Sequence, residues 1–367
     1  MFEHRVQAAI RGLRAYDPGH DLVALRRAAD SPLTELGSNE NPWGPSPKAR
    51  EAVQRCLGEL ALYPDPRGGD LKRALSQQHG VATGQIVLGN GSHELLMQLA
   101  QVFAGPGAGV VASQYGFAVY SIAAAAVGAT FKAAAALPMD AAMAGGHDLD
   151  AIAAAVDADT NLVYLANPNN PTGTWFGADE LEHFLTRIPA DTIVAIDEAY
   201  AEFVDAPEWA SAIPLVARNP NLIVLRTFSK AHGLAGLRVG YGIAQPELIG
   251  WLERIRESFN VNLPGLAAAE ASLGDPQHLA EGARRNKIER ERLADALRTR
   301  GLFVFPSQTN FLLVRFGEDA SGIDDALRER GIVLRPMGGY GLPDCLRITV
   351  GTTEQNAKLL AALDAMQ

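Results

Sequence analysis

The sequence of 367 residues contains only two cysteines, and aromatic residues make up only 7% of it. Cys56 and Cys345 lie far apart and form no pair with metal-ligand spacing, so we expect neither a disulfide scaffold nor a metal site. Such sparse cysteine usage fits a reducing compartment, and we expect a cytoplasmic location. The longest apolar runs are too short to cross a bilayer, and the charged N-terminal segment lacks the pattern of a signal peptide.

The sequence also lacks an excess of positive charge. It has 32 Lys and Arg against 42 Asp and Glu, a formal net charge of −10. A surface of this sign repels phosphate backbones and anionic membranes, so we expect neither nucleic acid nor a membrane as a partner. Hydrophobic residues at 47% and charged residues at 20% are ordinary for a globular protein, and the length suggests two domains around a large core.

Short β-rich runs alternate with helix-period segments between about residues 85 and 245. The segments Glu94–Phe103 and Ala178–Arg187 have helical periodicity. This alternation predicts a largely parallel α/β sheet covered on both faces, with a ligand beyond the carboxyl ends of its strands. The predicted buried strands are Ile86–Leu88, Gly109–Ala112, Leu162–Ala166, Thr192–Ile196, Leu222–Leu225 and Val239–Ile243.

A second pattern, of α+β type, begins near residue 265 with a charged helical segment from Asp275 to about Thr299. Residues 1–40 are rich in proline and glycine, which favours an extended arm that crosses between units. We therefore predict three parts: residues 1–40 as an N-terminal arm or part of the small unit, a large unit over 41–265 and a small C-terminal unit over 266–367.

Polar segments follow three of the predicted strands. NPNNPTG, at residues 167–173, contains Asn170, and DEAY, at 197–200, contains Asp197 and Tyr200. Taken alone, the first segment is more typical of a rigid structural turn than of a site. The second is either a helix N-cap or a pair, Asp197 and Tyr200, that presents a carboxylate and a phenol to one ligand. Lys230 ends the segment RTFSK. A lysine at a strand end is a candidate Schiff-base nucleophile, although a lone lysine is most often a surface charge.

Candidate phosphate ligands surround these groups. The segment Gly89–Ser92 is a glycine-rich turn that opens a helix and offers free backbone N–H groups, although tight βα turns of the same kind are common. Thr227 and Ser229 alternate along the chain, and Arg238 lies among glycines that allow close backbone approach. Together, a reactive lysine, an aspartate, a tyrosine, an asparagine and a phosphate cradle match what pyridoxal phosphate (PLP) requires.

The order of motifs GNGSHE, SQYGF, NPNNPTG, DEAY, TFSKAHGLAGLRVGYG and LRITVGT resembles that of fold-type I PLP-dependent aminotransferases. Within class II of that group it resembles the histidinol-phosphate aminotransferase family most closely. The resemblance extends from Tyr16 to Gly351, almost the whole chain. It implies an α/β fold: a large domain with a mostly parallel seven-stranded sheet, and a smaller α+β domain.

The resemblance also implies a role for each cofactor residue. Lys230 carries the cofactor and shuttles the proton, Asp197 pairs with the pyridine nitrogen, and Tyr200 and Asn170 hydrogen-bond the phenolic oxygen. Tyr115 stacks on the ring face. The implied phosphate ligands are the backbone at Gly91, Ser92 and His93, and the side chains of Thr227, Ser229 and Arg238. Tyr63 reaches the cofactor phosphate of the neighbouring subunit, which implies a homodimer with shared active sites.

Substrate contacts follow from the same resemblance. Arg347 matches the arginine that binds the substrate's anionic group, and Arg335 is either a second anion contact or a surface salt bridge. Tyr16 belongs to the arm near the substrate, and Asn39 lies close to it. The implied reaction interconverts histidinol phosphate and 2-oxoglutarate with imidazole acetol phosphate and glutamate.

Three alternatives share the cofactor residues. The first is an aromatic or broad-range aminotransferase, the second a phosphothreonine-type decarboxylase, and the third a non-catalytic PLP-binding regulator, which the acidic composition disfavours. Three features depart from the family pattern: His93, His232 and the segment Asn262–Gly265. His232 either shifts the pKa of the lysine or packs as a neutral core histidine, and we favour the second reading.

Overall fold

The computed structural model describes residues 2–13, 19–29 and 32–366. Its α-helices are α1 (Ala8–Arg11), α2 (Leu22–Ala28), α3 (Pro47–Cys56), α4 (Gly69–His79), α5 (Ser92–Phe103), α6 (Val119–Ala126), α7 (Leu149–Ala155), α8 (Ala178–Arg187), α9 (Pro246–Glu253), α10 (Leu263–Leu273), α11 (Pro276–Thr299), α12 (Ala320–Glu329) and α13 (Thr353–Asp364). Its strands are β1 (Thr34–Glu35), β2 (Ile86–Asn90), β3 (Gly109–Ser113), β4 (Thr130–Ala134), β5 (Thr160–Ala166), β6 (Ile193–Asp197), β7 (Leu222–Thr227), β8 (Val239–Ala244), β9 (Phe303–Val304), β10 (Phe311–Arg315), β11 (Ile332–Val333), β12 (Arg335–Pro336) and β13 (Cys345–Thr349). Short 3-10 helices lie at Glu3–Arg5, Leu57–Glu59, Thr83–Gln85, Ala201–Phe203, Ile213–Ala217, Ala235–Leu237 and Gly338–Tyr340.

The larger sheet has seven strands in the order β2-β8-β7-β6-β5-β3-β4. Neighbouring strands from β7 to β4 are parallel, whereas β8 is antiparallel to both β2 and β7. This confirms the expected mostly parallel α/β sheet. The six strands predicted from the sequence are all present, and β4 completes the sheet at its edge.

Both faces of this sheet are buried, which explains why its strands are nearly continuous apolar runs. Side chains alternate between two cores, so that Ile86 and Leu88 belong to one and Val87 to the other. Residues of α7, α8 and α10 contribute to the first core, and residues of α5, α6 and α9 to the second. The sheet is thus fixed on both sides, and its strand ends form a rigid platform.

The smaller sheet has four strands in the order β12-β13-β10-β9, and its neighbours are antiparallel. Separately, β1 pairs with β11 in parallel, with Thr34 opposite Ile332, and so attaches the N-terminal segment to this smaller unit. The expectation of an extended arm is wrong for Leu22–Ala28, which form the helix α2. Asp21 caps this helix by accepting hydrogen bonds from the backbone N–H groups of Val23 and Ala24 at 3.1 and 3.0 Å.

The predicted domain boundary at residue 265 falls inside α10, which packs against α3 and α4. The side chain of Asn262 caps this helix by accepting a hydrogen bond from the N–H of Gly265 at 2.7 Å. The unusual Asn262–Gly265 segment is therefore the start of a helix on the large unit. The exact division into domains stays a prediction, and we propose a boundary closer to the end of α10.

Among the described residues, no helix is both long enough and apolar enough to cross a membrane.

The site-forming edge of the large sheet is where β5, β6 and β7 end. Ala166 lies opposite Asp197, and Thr227 lies opposite Gly240 of β8. Since β8 is antiparallel to both β2 and β7, the end of β2 reaches the same edge. The segments that follow these strands must therefore meet there.

Candidate functional site

A cavity of about 340 Å³ opens at this edge of the sheet. It brings together residues from the two units and from the segment after β1. Its lining residues are Gly37, Ser38, Asn39, Ser92, His93, Phe117, Tyr120, Ala166, Pro168, Asn170, Asp197, Ala199, Tyr200, Thr227, Ser229, Lys230, Arg238, Arg335 and Arg347. Most of the side chains singled out from the sequence therefore line the same cavity.

Lys230 follows β7 and points its ammonium group at the segment after β1. Its Nζ lies 3.4 Å from the carbonyl oxygen of Ser38 and 3.3 Å from that of Asn39. Burial lowers the pKa of Lys230 to about 8, and the nearby positive charge of Arg347 acts in the same direction. A lysine amine that loses its proton near neutral pH is a competent nucleophile and base.

Asp197 is the last residue of β6 and is buried, with 7% of its surface exposed. Its Oδ2 accepts a hydrogen bond from the hydroxyl of Tyr120 at 3.2 Å, and its Oδ1 accepts one from the N–H of Ala199 at 3.2 Å. Burial raises the pKa of Asp197 to about 6, while these hydrogen bonds favour the charged form. A carboxylate in this setting is suited to a buried cationic partner.

Tyr200 and Asn170 both line the cavity. The hydroxyl of Tyr200 accepts a hydrogen bond from Nδ2 of Asn39 at 3.0 Å, and burial raises the pKa of this phenol. Oδ1 of Asn170 accepts a hydrogen bond from Nη1 of Arg347 at 2.6 Å. Since arginine only donates, the Asn170 amide must present its oxygen to Arg347, which leaves its Nδ2 to serve another acceptor.

The phosphate-type cradle lies where α5 begins, directly after β2. Gly91, with a φ of 75°, precedes the helix, and the chain at Arg238 adopts a left-handed φ of 57°. Nη1 of Arg238 donates to Oγ of Ser229 at 3.3 Å and to the carbonyl of Ala235 at 3.0 Å. This brings a guanidinium, a hydroxyl and the open N-terminus of a helix to one place, which is an anion site in chemical terms.

Two glycines make this close approach possible. A Cβ at Gly91 would collide with the guanidinium of Arg238, and a Cβ at Gly240 would collide with the backbone nitrogen of Ser92. His93 is the second residue of α5 and lines the cavity beside them; burial, followed by the charge of Arg238, lowers its pKa. A neutral imidazole at this position leaves the backbone N–H groups and Arg238 as the main anion donors.

Arg335 and Arg347 lie directly opposite each other in β12 and β13. Both are buried, with 8% and 7% of their surface exposed, and both line the cavity. Nη2 of Arg347 also donates to the carbonyl of Gly37 at 2.9 Å. Two guanidinium groups from one small sheet therefore lie on the cavity wall, and the role of Arg335 as an anion contact stays a prediction.

Tyr115 lies elsewhere. It packs beside the apolar cluster that contains Phe305 and Leu313, and its carbonyl accepts a hydrogen bond from Nδ2 of Asn169 at 2.9 Å. The chain turns tightly here, because the N–H of Gly116 bonds the carbonyl of Ser113 at 2.9 Å. This turn brings Phe117 into the cavity lining, which does not include Tyr115. The stacking role of Tyr115 stays a prediction, and we propose Phe117 as the aromatic side chain against a bound ring.

Tyr63 also lies away from the cavity lining. Its side chain is 82% exposed, and its ring stacks on that of Phe259 with centroids 4.6 Å apart. The neighbouring Leu60 and Leu62 are 60% and 66% exposed. Tyr63 thus belongs to an exposed apolar surface, which we call the Leu60–Tyr63 surface.

Three further sequence predictions have simple outcomes. Tyr16 lies outside the described residues. Asn39 is 1% exposed and lines the cavity. Nδ1 of His232 lies 2.7 Å from Oγ of Ser272 and its ring packs 4.7 Å from that of Phe228, while burial lowers its pKa. These contacts describe a packed, neutral core histidine.

Sequence reasoning missed Phe117 and Tyr120 as lining residues. Both lie in the segment that follows β3, where the other site segments also follow strands. The signal that was available is their position after a strand of the same sheet. What the sequence alone does not give is the rotation of α6, which decides which of its side chains face the cavity.

Comparisons with known proteins agree with this geometry. A family model described as aminotransferase class I and II matches residues 31–363. Histidinol-phosphate aminotransferase 2 of Pseudomonas aeruginosa is 44% identical over 360 residues, covering 97% of this chain and 96% of that protein. The protein of the same name from Ralstonia nicotianae is 48% identical over 362 residues, covering 97% of this chain and 95% of that protein.

A solved structure adds the bound cofactor. The crystal structure of histidinol-phosphate aminotransferase from Sinorhizobium meliloti in complex with pyridoxal-5'-phosphate has a TM-score of 0.89 and 32% identity, covering 99% of this chain and 98% of that chain. The chain therefore belongs to the family of class I and II aminotransferases, whose members of this fold use PLP.

Proposed function

We propose that this protein is a PLP-dependent aminotransferase that interconverts histidinol phosphate and 2-oxoglutarate with imidazole acetol phosphate and glutamate, a reaction of histidine biosynthesis. The observation that carries the proposal is one cavity that joins Lys230 and Asp197 to two buried arginines, Arg335 and Arg347. Relatives that are 44% and 48% identical over nearly the whole chain bear the name of this activity.

The residues present fit PLP. The absence of a Cβ at Gly91 and Gly240 lets Arg238 and the backbone of Ser92 come close, and Ser92, Ser229 and Arg238 would supply donors to a phosphate there. Thr227, whose hydroxyl accepts from the N–H of Ser229 at 3.1 Å, and the backbone at His93 complete the phosphate site.

The ring would lie between the cradle and the lysine. Asp197, whose carboxylate is buried and bonded by Tyr120, would hold a proton on the pyridine nitrogen. Tyr200 and Asn170 would donate hydrogen bonds to the phenolic oxygen, and Phe117 would lie against the ring face. Bound in this way, PLP supplies an electron sink for the bond that breaks at the substrate's amine-bearing carbon.

Lys230 performs the proton transfer. Its Nζ, with a pKa lowered to about 8, is partly unprotonated near neutral pH. It is therefore suited to remove the proton from the amine-bearing carbon of the substrate and to place it on the former aldehyde carbon of the cofactor. The carbonyl oxygens of Ser38 and Asn39 hold this amine at 3.4 and 3.3 Å and orient it.

The two arginines select the substrate. A guanidinium binds phosphate and carboxylate with the same planar fork, so Arg335 and Arg347 would bind the phosphate of histidinol phosphate and, in the second half-reaction, the carboxylate of glutamate or 2-oxoglutarate. One anion pocket thus serves both substrates in turn. Asn39 and Tyr16 remain proposed neighbours of the substrate.

The proposal includes a cytoplasmic homodimer. The exposed Leu60–Tyr63 surface would lie against a second subunit, and Tyr63 would reach the cofactor phosphate of that subunit. An exposed apolar surface of this kind is typical of an interface between subunits.

A half-reaction titration tests the substrate. Histidinol phosphate, phenylalanine and glutamate are added separately to the PLP-loaded protein, and the loss of the bound cofactor's absorbance is followed. We expect histidinol phosphate and glutamate to discharge the cofactor, and Lys230→Ala to abolish both the absorbance and turnover. If phenylalanine succeeds where histidinol phosphate fails, the protein is an aromatic aminotransferase, and release of CO2 without an oxo-acid acceptor would indicate a decarboxylase.

A further inference from the structure

Asn39 makes more contacts than a residue near the substrate requires. Its side chain donates from Nδ2 to the hydroxyl of Tyr200 at 3.0 Å, and its backbone N–H donates to Oγ1 of Thr349 at 2.9 Å. Its carbonyl oxygen accepts from Nζ of Lys230 at 3.3 Å and from Nδ2 of Asn310 at 3.0 Å. One buried residue, 1% exposed, thus touches the phenol, the lysine and the small sheet.

The backbone at Asn39 is in the left-handed region, with a φ of 55°. Asparagine is among the few residues other than glycine that adopt this conformation readily. The conformation allows the N–H, the carbonyl and the amide of one residue to bond four different residues. Residue type and backbone shape are therefore linked at this position.

Thr349 fixes the orientation of the Asn39 side-chain amide. The hydroxyl of Thr349 accepts from the backbone N–H of Asn39, and its own proton is directed to Oδ1 of Asn39, 3.4 Å away. Since Oδ1 faces Thr349, Nδ2 must face Tyr200. An amide NH2 group only donates, so the phenol oxygen of Tyr200 is the acceptor in this contact.

The consequence concerns the proton of Tyr200. A phenol oxygen that accepts from Asn39 must direct its own proton elsewhere, and Tyr200 lines the cavity together with Asn170. We propose that Asn39 is a positioning residue which, held by Thr349, fixes the hydroxyl proton of Tyr200 toward the phenolic oxygen of bound PLP. This inference rests on the proposed function, because it requires PLP in the cavity.

The effect on the cofactor has a definite sign. A hydrogen bond donated to the phenolic oxygen stabilises the anionic form of that oxygen, so its loss raises the pH at which the bound cofactor's absorbance changes. The other charged or titratable groups near Tyr200 are Arg347, Asp197 and Tyr340, together with Lys230, whose Nζ lies 5.8 Å from the ring centroid. The variants below leave all four unchanged.

The test is a pH titration of the bound cofactor's absorbance in two matched pairs of variants, one at Asn39 and one at Thr349. Asn39→Gly keeps the left-handed backbone and removes the amide, whereas Asn39→Asp keeps the shape and replaces the donor with a carboxylate. We expect an upward shift of the midpoint of about 1 pH unit for the glycine variant, and at least as much for the aspartate variant. Thr349→Val should shift the midpoint in the same direction, and Thr349→Ser, which keeps the hydroxyl, should not.

A double variant separates positioning from general damage. If Asn39 acts through the phenol, Asn39→Gly should add no further shift when Tyr200 is already Phe. An equal shift in that background, or no shift in the native background, overturns the inference. If Asn39→Gly fails to fold, the Thr349 pair decides the question alone. A wild-type protein that shows no bound-cofactor absorbance would instead defeat the proposed function.

Discussion

The hydroxyl of Tyr120, on α6, donates a hydrogen bond to Oδ2 of Asp197, at the end of β6, across 3.2 Å. The ring of Tyr120 lies on that of Tyr164 with centroids 4.8 Å apart and planes within 7°. Packing therefore fixes the donor, and the donor in turn favours the charged form of a carboxylate whose burial opposes ionisation. The buried carboxylate of Asp197 is therefore unfavourable until a cationic partner binds.

This relationship predicts that removing the charge stabilises the protein without its cofactor. Burial raises the pKa of Asp197 from 3.8 to about 6 in the folded state. The folded state thus disfavours the carboxylate, and the cost grows from about pH 4 and is complete above about pH 6. We expect apo Asp197→Asn to exceed the apo wild type in free energy of unfolding by up to about 3 kcal/mol above pH 6.

Urea unfolding of the two apoproteins at pH 4, 5, 6 and 7.5 measures the difference. It should shrink toward zero at the lowest pH, and a difference independent of pH would contradict the argument. Tyr120→Phe serves as a comparison that keeps Asp197. It removes a hydrogen bond that favours the carboxylate, so the fall in stability should begin at the same pH, extend to a higher pH and reach a larger total.

The lowered pKa of Lys230 predicts how the apoprotein captures its cofactor. Only the neutral amine attacks an aldehyde, and burial together with the charge of Arg347 brings the pKa of Lys230 to about 8. The rate of cofactor capture should therefore rise through about pH 8 and level off above it. Stopped-flow absorbance after mixing apoprotein with PLP over pH 6.5–10 measures this rate.

Arg347→Met is the matched variant for that experiment. It removes a positive neighbour of Lys230, so the midpoint of the rate profile should move to a higher pH. A profile that still rises at pH 10 in the wild type, or one that Arg347→Met leaves unchanged, would count against the electrostatic explanation.

What the sequence could and could not predict follows from chain geometry. Lys230, Asp197 and Asn170 could be predicted because each lies at or just after the end of a parallel strand, and such strand ends meet at one edge of a sheet. Phe117 and Tyr120 were missed because the turn after β3 and the rotation of α6 decide which side chains face the cavity, and packing on neighbouring residues sets both.

Asn39 illustrates a second limit. Its sequence position suggests only proximity to the substrate, whereas its role depends on contacts with Tyr200 and Thr349, which lie 161 and 310 residues away. Long-range pairs of this kind follow from how the small unit docks on the large sheet. Local patterns carry no information on that docking.

Position 240 in β8, beside the proposed phosphate site, should tolerate no side chain. A Cβ there would collide with the backbone nitrogen of Ser92, and backbone cannot swing aside as a flexible side chain can. We expect Gly240→Ala to push the start of α5 away from Arg238 and to weaken PLP binding at least about tenfold, the value of one lost charge-assisted hydrogen bond.

Fluorescence titration of the apoprotein with PLP measures the affinity. Gly236→Ala is the matched control, because a Cβ at Gly236 meets nothing within 4 Å, and its affinity should equal that of the wild type. Equal affinity for Gly240→Ala and Gly236→Ala would mean that the close approach of β8 to Ser92 has no part in phosphate binding.

Tyr63 allows a test of the shared active site by mixing two inactive proteins. Tyr63 is 82% exposed, so Tyr63→Ala should fold normally. If Tyr63 serves the partner's cofactor, a hybrid of a Lys230→Ala subunit and a Tyr63→Ala subunit contains one site in which both residues are native. Random mixing of equal amounts should then restore about a quarter of the wild-type activity, because half of the dimers are hybrid and one of their two sites is intact.

The mixture is refolded or exchanged at a PLP concentration too low to load the Tyr63→Ala protein alone. Tyr63→Phe, which keeps the ring stacked on Phe259 and loses only the hydroxyl, separates phosphate binding from packing at the Leu60–Tyr63 surface. If that variant binds PLP as tightly as the wild type, the ring and not the hydroxyl matters. If the mixture is no more active than the sum of its two parents, Tyr63 acts within its own subunit or not at all, because only exchange of subunits can unite the two native residues in one site.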